Sequence, residues 1–211
     1  LWLFCLIMNI SLFSFSQKQF QFQENKGQLP SSVFSKVKVP GGSVFIEKGK
    51  FLYSFYNSKQ LQERHDLIRK EHWIDAHSFS ATFLNSSIES EIIFSEKSDY
   101  FENFYRSGSK IENVRFYKEL EQKNIYSGID LKIYFDESNL KYDLTIHPNA
   151  SDKKIKIKYK GQDNIYLRNG NLIIETSVNT VTELAPFAYQ MINDSICSVE
   201  CKFKLKNNIL S

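Results

Sequence analysis

The chain has 211 residues, 42% of them apolar and 24% charged, with a formal net charge of +3. That balance excludes an intrinsically disordered chain and does not demand a nucleic-acid partner. Its 18 Phe and 11 Tyr, set against 8 Gly and 4 Pro, exclude collagen-like and Pro-rich architectures and favour strands with large buried contacts.

Residues 1–15 (LWLFCLIMNISLFSF) are uncharged and almost wholly apolar. The stretch has the length of a secretory h-region and is too short to span a bilayer comfortably. Ser14-Phe15-Ser16 supplies a small-x-small cleavage pattern. Residues 1–16 are therefore expected to be a signal peptide lacking its n-region. Residues 17–211 are expected to be the exported β-rich domain of a longer protein, truncated at its C-terminal side and without a transmembrane segment. Cys5 would leave with the signal.

Residues 44–46 and 51–55 flank Lys48-Gly49, a tight-hairpin signal, and place Val44, Ile46, Phe51, Tyr53 and Phe55 on one face. Residues 57–77 are polar, hold three of the four histidines and read as a surface excursion. Residues 78–84 and 88–94 read as a strand pair joined by Asn85-Ser86-Ser87. The clearest hairpin covers residues 129–146. Its register pairs Phe135 with Leu140, Ile133 with Tyr142 and Leu131 with Leu144, and sets Lys132 opposite Asp143. Farther on, Ile155, Ile157 and Tyr159 alternate with Lys154, Lys156, Lys158 and Lys160. Asn169-Gly170 marks a type I′ turn that pairs Ile165 with Ile174. A last hairpin is expected from residues 187–192 and 196–205, and residues 209–211 read as the next strand.

Repeated short strands with turn signals predict an all-β fold, an antiparallel β-sandwich or related two-sheet structure. Stretches 44–94 and 129–176 suggest a duplicated hairpin unit. On one straight strand Cys197 and Cys201 would lie about 13 Å apart, beyond the disulfide Cα reach of about 7 Å, so free or partner-bonded thiols are favoured over an internal bridge.

Several motifs resemble the N-terminal β-rich domain of large exported proteins of Bacteroidota and some other bacteria. These proteins often carry seven-bladed β-propeller repeats and gliding-motility-associated or type IX secretion C-terminal modules. Residues 22–28 (FQENKGQ) match F-x-E-N-K-G-Q, and 124–131 (NIYSGIDL) match N-I-Y-x-G-I-D-L. Residues 140–144 (LKYDL) match L-x-Y-D-apolar. Residues 147–152 (HPNASD) resemble x-P-G-A-D-P, with Asn149 where Gly is usual. Residues 169–172 (NGNL) stand at D-G-x-L, and 186–190 (PFAYQ) match P-x-A-Y-Q. The resemblance spans about residues 20–205. It implies export, a β-rich fold and a place near the front of a longer secreted or outer-surface protein. It supplies no catalytic residues. Taken with the signal-like start and the strand pattern, it makes the expected function a non-catalytic role in adhesion, display or gliding-related assembly.

Candidate sites follow from side-chain chemistry. Asp130 and Asp143 lie diagonally on one face of the 129–146 hairpin. They suit an ion pair with Lys132, Ca²⁺ or ligand binding, or acid–base glycoside chemistry, in that order. Glu24, Asn25 and Gln28 form a polar cluster that suits backbone capping before sugar contact. His65, His72 and His77 lack metal-ligand spacing and read as a solvated loop. The Lys154–Lys160 alternation reads as sheet-edge protection before polyanion binding. Asp194-Ser195-Ile196 fits both a turn and the Asp-Ser-apolar pattern of Bacteroidota O-glycosylation at Ser195. No cofactor is expected, Ca²⁺ being the one candidate. The expected partners are an extracellular glycan or surface protein and the downstream domains of the same chain, not nucleic acid. A carbohydrate-binding or carbohydrate-processing accessory domain is the alternative function.

Overall fold

The computed structural model describes residues 20–66, 71–106, 108–137 and 139–211. The expected signal segment, Cys5 and Ser138 of the central hairpin turn lie outside the described residues. In chain order the first elements are β1 (Phe22–Glu24), β2 (Val33–Val39), β3 (Gly42–Glu47), β4 (Lys50–Tyr56), α1 (Ser58–His65) and β5 (Ala76–Phe83). Then come β6 (Glu91–Arg106), β7 (Ser109–Tyr126), β8 (Ile129–Asp136), β9 (Asn139–Ile146) and β10 (Ile157–Lys160). The last are β11 (Asn164–Arg168), β12 (Asn171–Glu175), β13 (Thr180–Glu183), β14 (Ala188–Ile192), β15 (Ser195–Val199), β16 (Leu205–Lys206) and β17 (Ile209–Leu210).

Alternating apolar residues explain the main sheet. Strands β1 to β5 form an antiparallel meander, and the Lys48-Gly49 turn closes where Glu47 pairs with Lys50. Val44, Ile46, Phe51 and Phe55 point into the core as expected, and Tyr53 stacks on Phe79 with ring centroids 4.6 Å apart. One edge of β7 is taken by β6, while β1 and β8 occupy successive stretches of the other. This lets the sheet turn back on itself. The β8–β9 hairpin keeps the expected register throughout, and its Tyr142 ring lies 6.0 Å from Phe51 and 6.2 Å from Phe83. The three-stranded sheet β11–β12–β13 adds buried Leu172 and Ile174 to the same core. The result is an all-β, sandwich-like fold.

Four local expectations change. Residues 78–84 and 88–94 do not pair with each other: both edges of β5 are taken, by β4 and β10, and β6 pairs with β7. The linker instead crosses between layers. The Leu84 N–H donates to the Lys156 carbonyl at 2.8 Å, and the Ser87 N–H to the Ile125 carbonyl at 2.7 Å. The lysine-lined strand is not an edge, because β10 lies between β5 and β17. The last hairpin stops at Val199, and a further turn at Asn207-Asn208 pairs β16 with β17. The two supposedly duplicated stretches do not share one topology: β3, β4 and β5 run on as a meander, whereas after β9 the chain crosses to pair β10 with β5. A polar turn shows where a strand ends; it does not show which edge the next strand finds.

Helix α1 forms part of the expected surface excursion. The Asn57 side chain accepts the Gln60 N–H, and no side chain of the helix is buried.

Candidate functional site

Asp130 organises a polar cluster at the β7–β8 turn. The β7–β8 connection turns at Ser127-Gly128, and a register shift between Gln122 and Tyr126 forms a bulge in which Asn124 takes a left-handed φ of 52°. The bulge frees the Asn124 N–H from the ladder, and Asp130 Oδ1 accepts it at 2.7 Å. Asp130 Oδ2 accepts from His147 Nε2 at 2.9 Å and from Lys123 Nζ at 3.1 Å. Asp130 is only 5% exposed. Burial by itself pushes its carboxyl up, but the bonds from His147, the Asn124 N–H and Lys123 prevail and hold it down at about 2.

The turn after β9 is built against this one. The His147 N–H donates to the Gly128 carbonyl at 2.9 Å, and Asn149 adopts a φ of 70°. Glycine is usual at that position in the resembled motif because the conformation is left-handed, and Asn is the side chain that tolerates it best. Gly128 has a φ of 75°, and a Cβ there would meet the Ala150 Cβ at 2.9 Å. Gly128→Ala is therefore expected to cost roughly 1–3 kcal/mol of stability. Urea denaturation checks this, and an unchanged midpoint would contradict the close approach.

The structure does not join Asp130 to Asp143. They share a face, and Lys132 does stand opposite Asp143, but Lys132 Nζ turns to Glu119 on β7 at 2.8 Å. Asp143 is exposed, with the Tyr134 hydroxyl bonded to it. The expected Lys132–Asp143 ion pair fails because β8 has a neighbour on each side, and the hairpin alone shows only one of them.

Glu24, Asn25 and Gln28 are brought together and bonded to the fold's own backbone. Glu24 Oε1 accepts the Arg115 N–H at 2.8 Å. The Asn25 amide donates to the carbonyls of Pro30 and Val33, while its oxygen accepts the Gly27 and Leu29 N–H groups. Gln28 accepts the Lys26 N–H and donates to the Glu24 carbonyl. This knot buttresses the β6–β7 hairpin, whose strands run 16 and 18 residues.

Among the described residues no group of three His, Cys, Asp or Glu is placed to hold a metal ion. His65 and His72 are exposed, but His77 is not on a solvated loop. It sits in β5, its Nε2–H donating to the Gly161 carbonyl at 2.7 Å and its Nδ1 accepting the Ser177 N–H at 3.2 Å. Ser195 is exposed at the start of β15, beside the left-handed turn pair Asn193-Asp194. Cys197 and Cys201 are free thiols.

Two features were not anticipated. The first is Glu183, on β13. Its carboxylate accepts the hydroxyl of Tyr142, from β9, and that of Tyr159, from β10, the latter at 2.7 Å. Burial pushes the Glu183 carboxyl above its ordinary 4.5, against the lowering effect of the two tyrosine bonds. Burial and Glu183 together also push Tyr142 and Tyr159 well up. The signal was present in Thr180-Val181-Thr182-Glu183, where Val181 and Glu183 must share a face.

The second is a cleft of about 450 Å³ lined by Asn85, Ser87, Tyr126, Ser127, Lys153, Lys154 and Lys156. The cleft lies where the 85–87 linker, the β7–β8 turn and the segment before β10 meet.

A family model described as "Domain of unknown function (DUF7948)" matches residues 22–211, and the chain belongs to that family. No curated protein and no solved structure matches it.

Proposed function

We propose that this member of the DUF7948 family is a non-catalytic recognition module of a secreted or cell-surface multidomain protein, acting in adhesion or display. The carrying observation is a division of labour among its side chains. The buried carboxylates and the capping amides are bonded within the fold, whereas aromatic rings stand exposed on the β6–β7 arm. Asp130 and Glu183 are saturated by cations or phenols, and Glu24, Asn25 and Gln28 hold backbone groups. Tyr100, Phe101 and Tyr105 are exposed on the arm. Exposed rings serve recognition at low conformational cost. The motif resemblance supports a place near the front of an exported protein. Among the described residues no helix is long and apolar enough to cross a membrane.

The same rings favour a carbohydrate-binding accessory domain as the second reading, since sugars stack on exposed aromatic faces. Arg115 lies 5.0 Å from the Phe101 ring centre and Lys110 lies 5.8 Å from that of Tyr105, so the arm also offers cations. Beads coated with the folded chain are expected to adhere to bacterial envelopes or extracellular matrix, and Tyr100→Ala/Tyr105→Ala to weaken adhesion several-fold. Robust hydrolysis abolished by Asp130→Asn or Asp143→Asn would replace this reading with an enzymatic one.

A further inference from the structure

We infer that the lysine-lined cleft is a binding site for an acidic polysaccharide, a polymer bearing carboxylate or sulfate groups, distinct from the rings of the β6–β7 arm. Its lining is rich in donors. Lys153, Lys154 and Lys156 bring three ammonium groups, and no carboxylate among the described residues lines the cavity. Among the described residues none of the three has a carboxylate within ion-pair distance, in contrast to Lys50, Lys110, Lys118, Lys123, Lys132 and Lys141. Ser87 Oγ already accepts the Glu89 N–H at 3.2 Å, which leaves its own proton to donate outward. Asn85 and Ser127 add an amide and a hydroxyl. Asp130, close in sequence to the turn, is already paired with Lys123 and hydrogen-bonded to His147.

The walls are held in place. The Tyr126 hydroxyl donates to the Leu84 carbonyl at 3.0 Å, and the Leu84 N–H to the Lys156 carbonyl at 2.8 Å, so all three segments are tied together. Lysine stems can cover apolar surface while their charged heads stay in water, as anion binding requires. The volume lies within the usual range for ligand sites, about 300–1,000 Å³. A second cavity of about 240 Å³, lined by Lys156, Lys206, Asn207, Ile209 and Ser211, shares Lys156 with the first. Two cavities meeting at one lysine suit a polymer that continues from one to the next.

Chemistry separates this ligand from nucleic acid. Single-stranded nucleic acid is held by base stacking on exposed aromatic faces. The one ring that the described residues bring to the cleft, Tyr126, is 4% exposed and its hydroxyl is committed to Leu84. A sugar acid or sulfate ester needs only donors and cations. Lys153, Lys154 and Lys156 all precede β10 and belong to no strand, so protection of a sheet edge does not account for them.

The test is calorimetric titration of the folded chain with polygalacturonate, dextran sulfate, neutral dextran and a single-stranded oligonucleotide at two salt concentrations. Binding is expected for at least one of the two acidic polymers and not for neutral dextran, weakening as salt rises. Lys153→Gln/Lys154→Gln/Lys156→Gln is expected to weaken it at least tenfold at unchanged thermal stability. Lys38→Gln/Lys59→Gln/Lys202→Gln removes the same charge elsewhere and is expected to leave binding within about twofold. Equal losses in the two triples would reduce the effect to net charge and overturn the site. So would no binding of either acidic polymer, or oligonucleotide binding as tight as theirs and dependent on the same lysines. Bead adhesion that survives the cleft triple but not Tyr100→Ala/Tyr105→Ala separates failure of this site from failure of the arm.

Discussion

Glu183→Ala is expected to lower stability by roughly 2–5 kcal/mol, because two phenols lose one shared acceptor and each buried unsatisfied group costs about 1–3 kcal/mol. The loss should be cooperative, since Glu183 joins β13 to both β9 and β10. The charge itself has the opposite tendency. Unfolded, this carboxyl titrates near its ordinary 4.5, and burial raises it in the folded state. Just above that pH the folded chain binds more protons than the unfolded one, so stability falls as pH rises through the window. It is restored as pH drops below about 4.5. Glu183→Gln keeps an acceptor for a phenol and removes the titration. It is expected to lose less stability than Glu183→Ala and to flatten the slope from about pH 4.5 upward. Urea denaturation across that range distinguishes the variants; an unaltered slope in Glu183→Gln would mean the carboxylate is solvated.

Asp130→Ala is expected to cost roughly 2–4 kcal/mol, from the loss of charge-assisted bonds to His147 and Lys123 and from an Asn124 N–H left without its acceptor. Here the pH sign is reversed. The folded carboxyl titrates at about 2 against an ordinary 3.8. Its contribution is therefore present above about pH 4 and is lost as pH falls through about 2. With both partners reaching solvent, the electrostatic part amounts to about 1–2 kcal/mol. Asp130→Asn should remove that acid limb while leaving the Glu183 limb intact. An acid limb equally steep in Asp130→Asn would assign it to other carboxylates. The same bonds hold the 126–128 turn, so Asp130→Ala is also expected to loosen one wall of the lysine cleft.

Local signals carried much of the fold. Alternation in residues 129–146 sets every pairing of β8 with β9. Lys48-Gly49 and Asn169-Gly170 mark their turns because their glycines take φ values of 58° and 80°. Long-range placement was not legible. Nothing near residue 157 announces that β10 will insert between β5 and β17, and this is why its lysines read as an edge. The polar motif around residues 22–28 was legible as backbone capping, because Asn and Gln beside Gly turns commonly bond the main chain. Its service to β7, some 90 residues away, was not. Lys132 paired with the neighbour that only the assembled sheet provides. The cleft was invisible for the same reason: its lining comes from three segments that meet only in the folded layers.

Recognition without turnover is tested most directly by following binding and polymer length together. The folded chain is incubated with polygalacturonate and with dextran sulfate, and each mixture is then analysed by size-exclusion chromatography with light scattering. The expected result is protein co-eluting with a bound polymer whose own length is unchanged after prolonged incubation. Shortening of the polymer by the native chain, stopped in folded Asp130→Asn or Glu183→Gln, would contradict a non-catalytic module and make one of those carboxylates part of an active site.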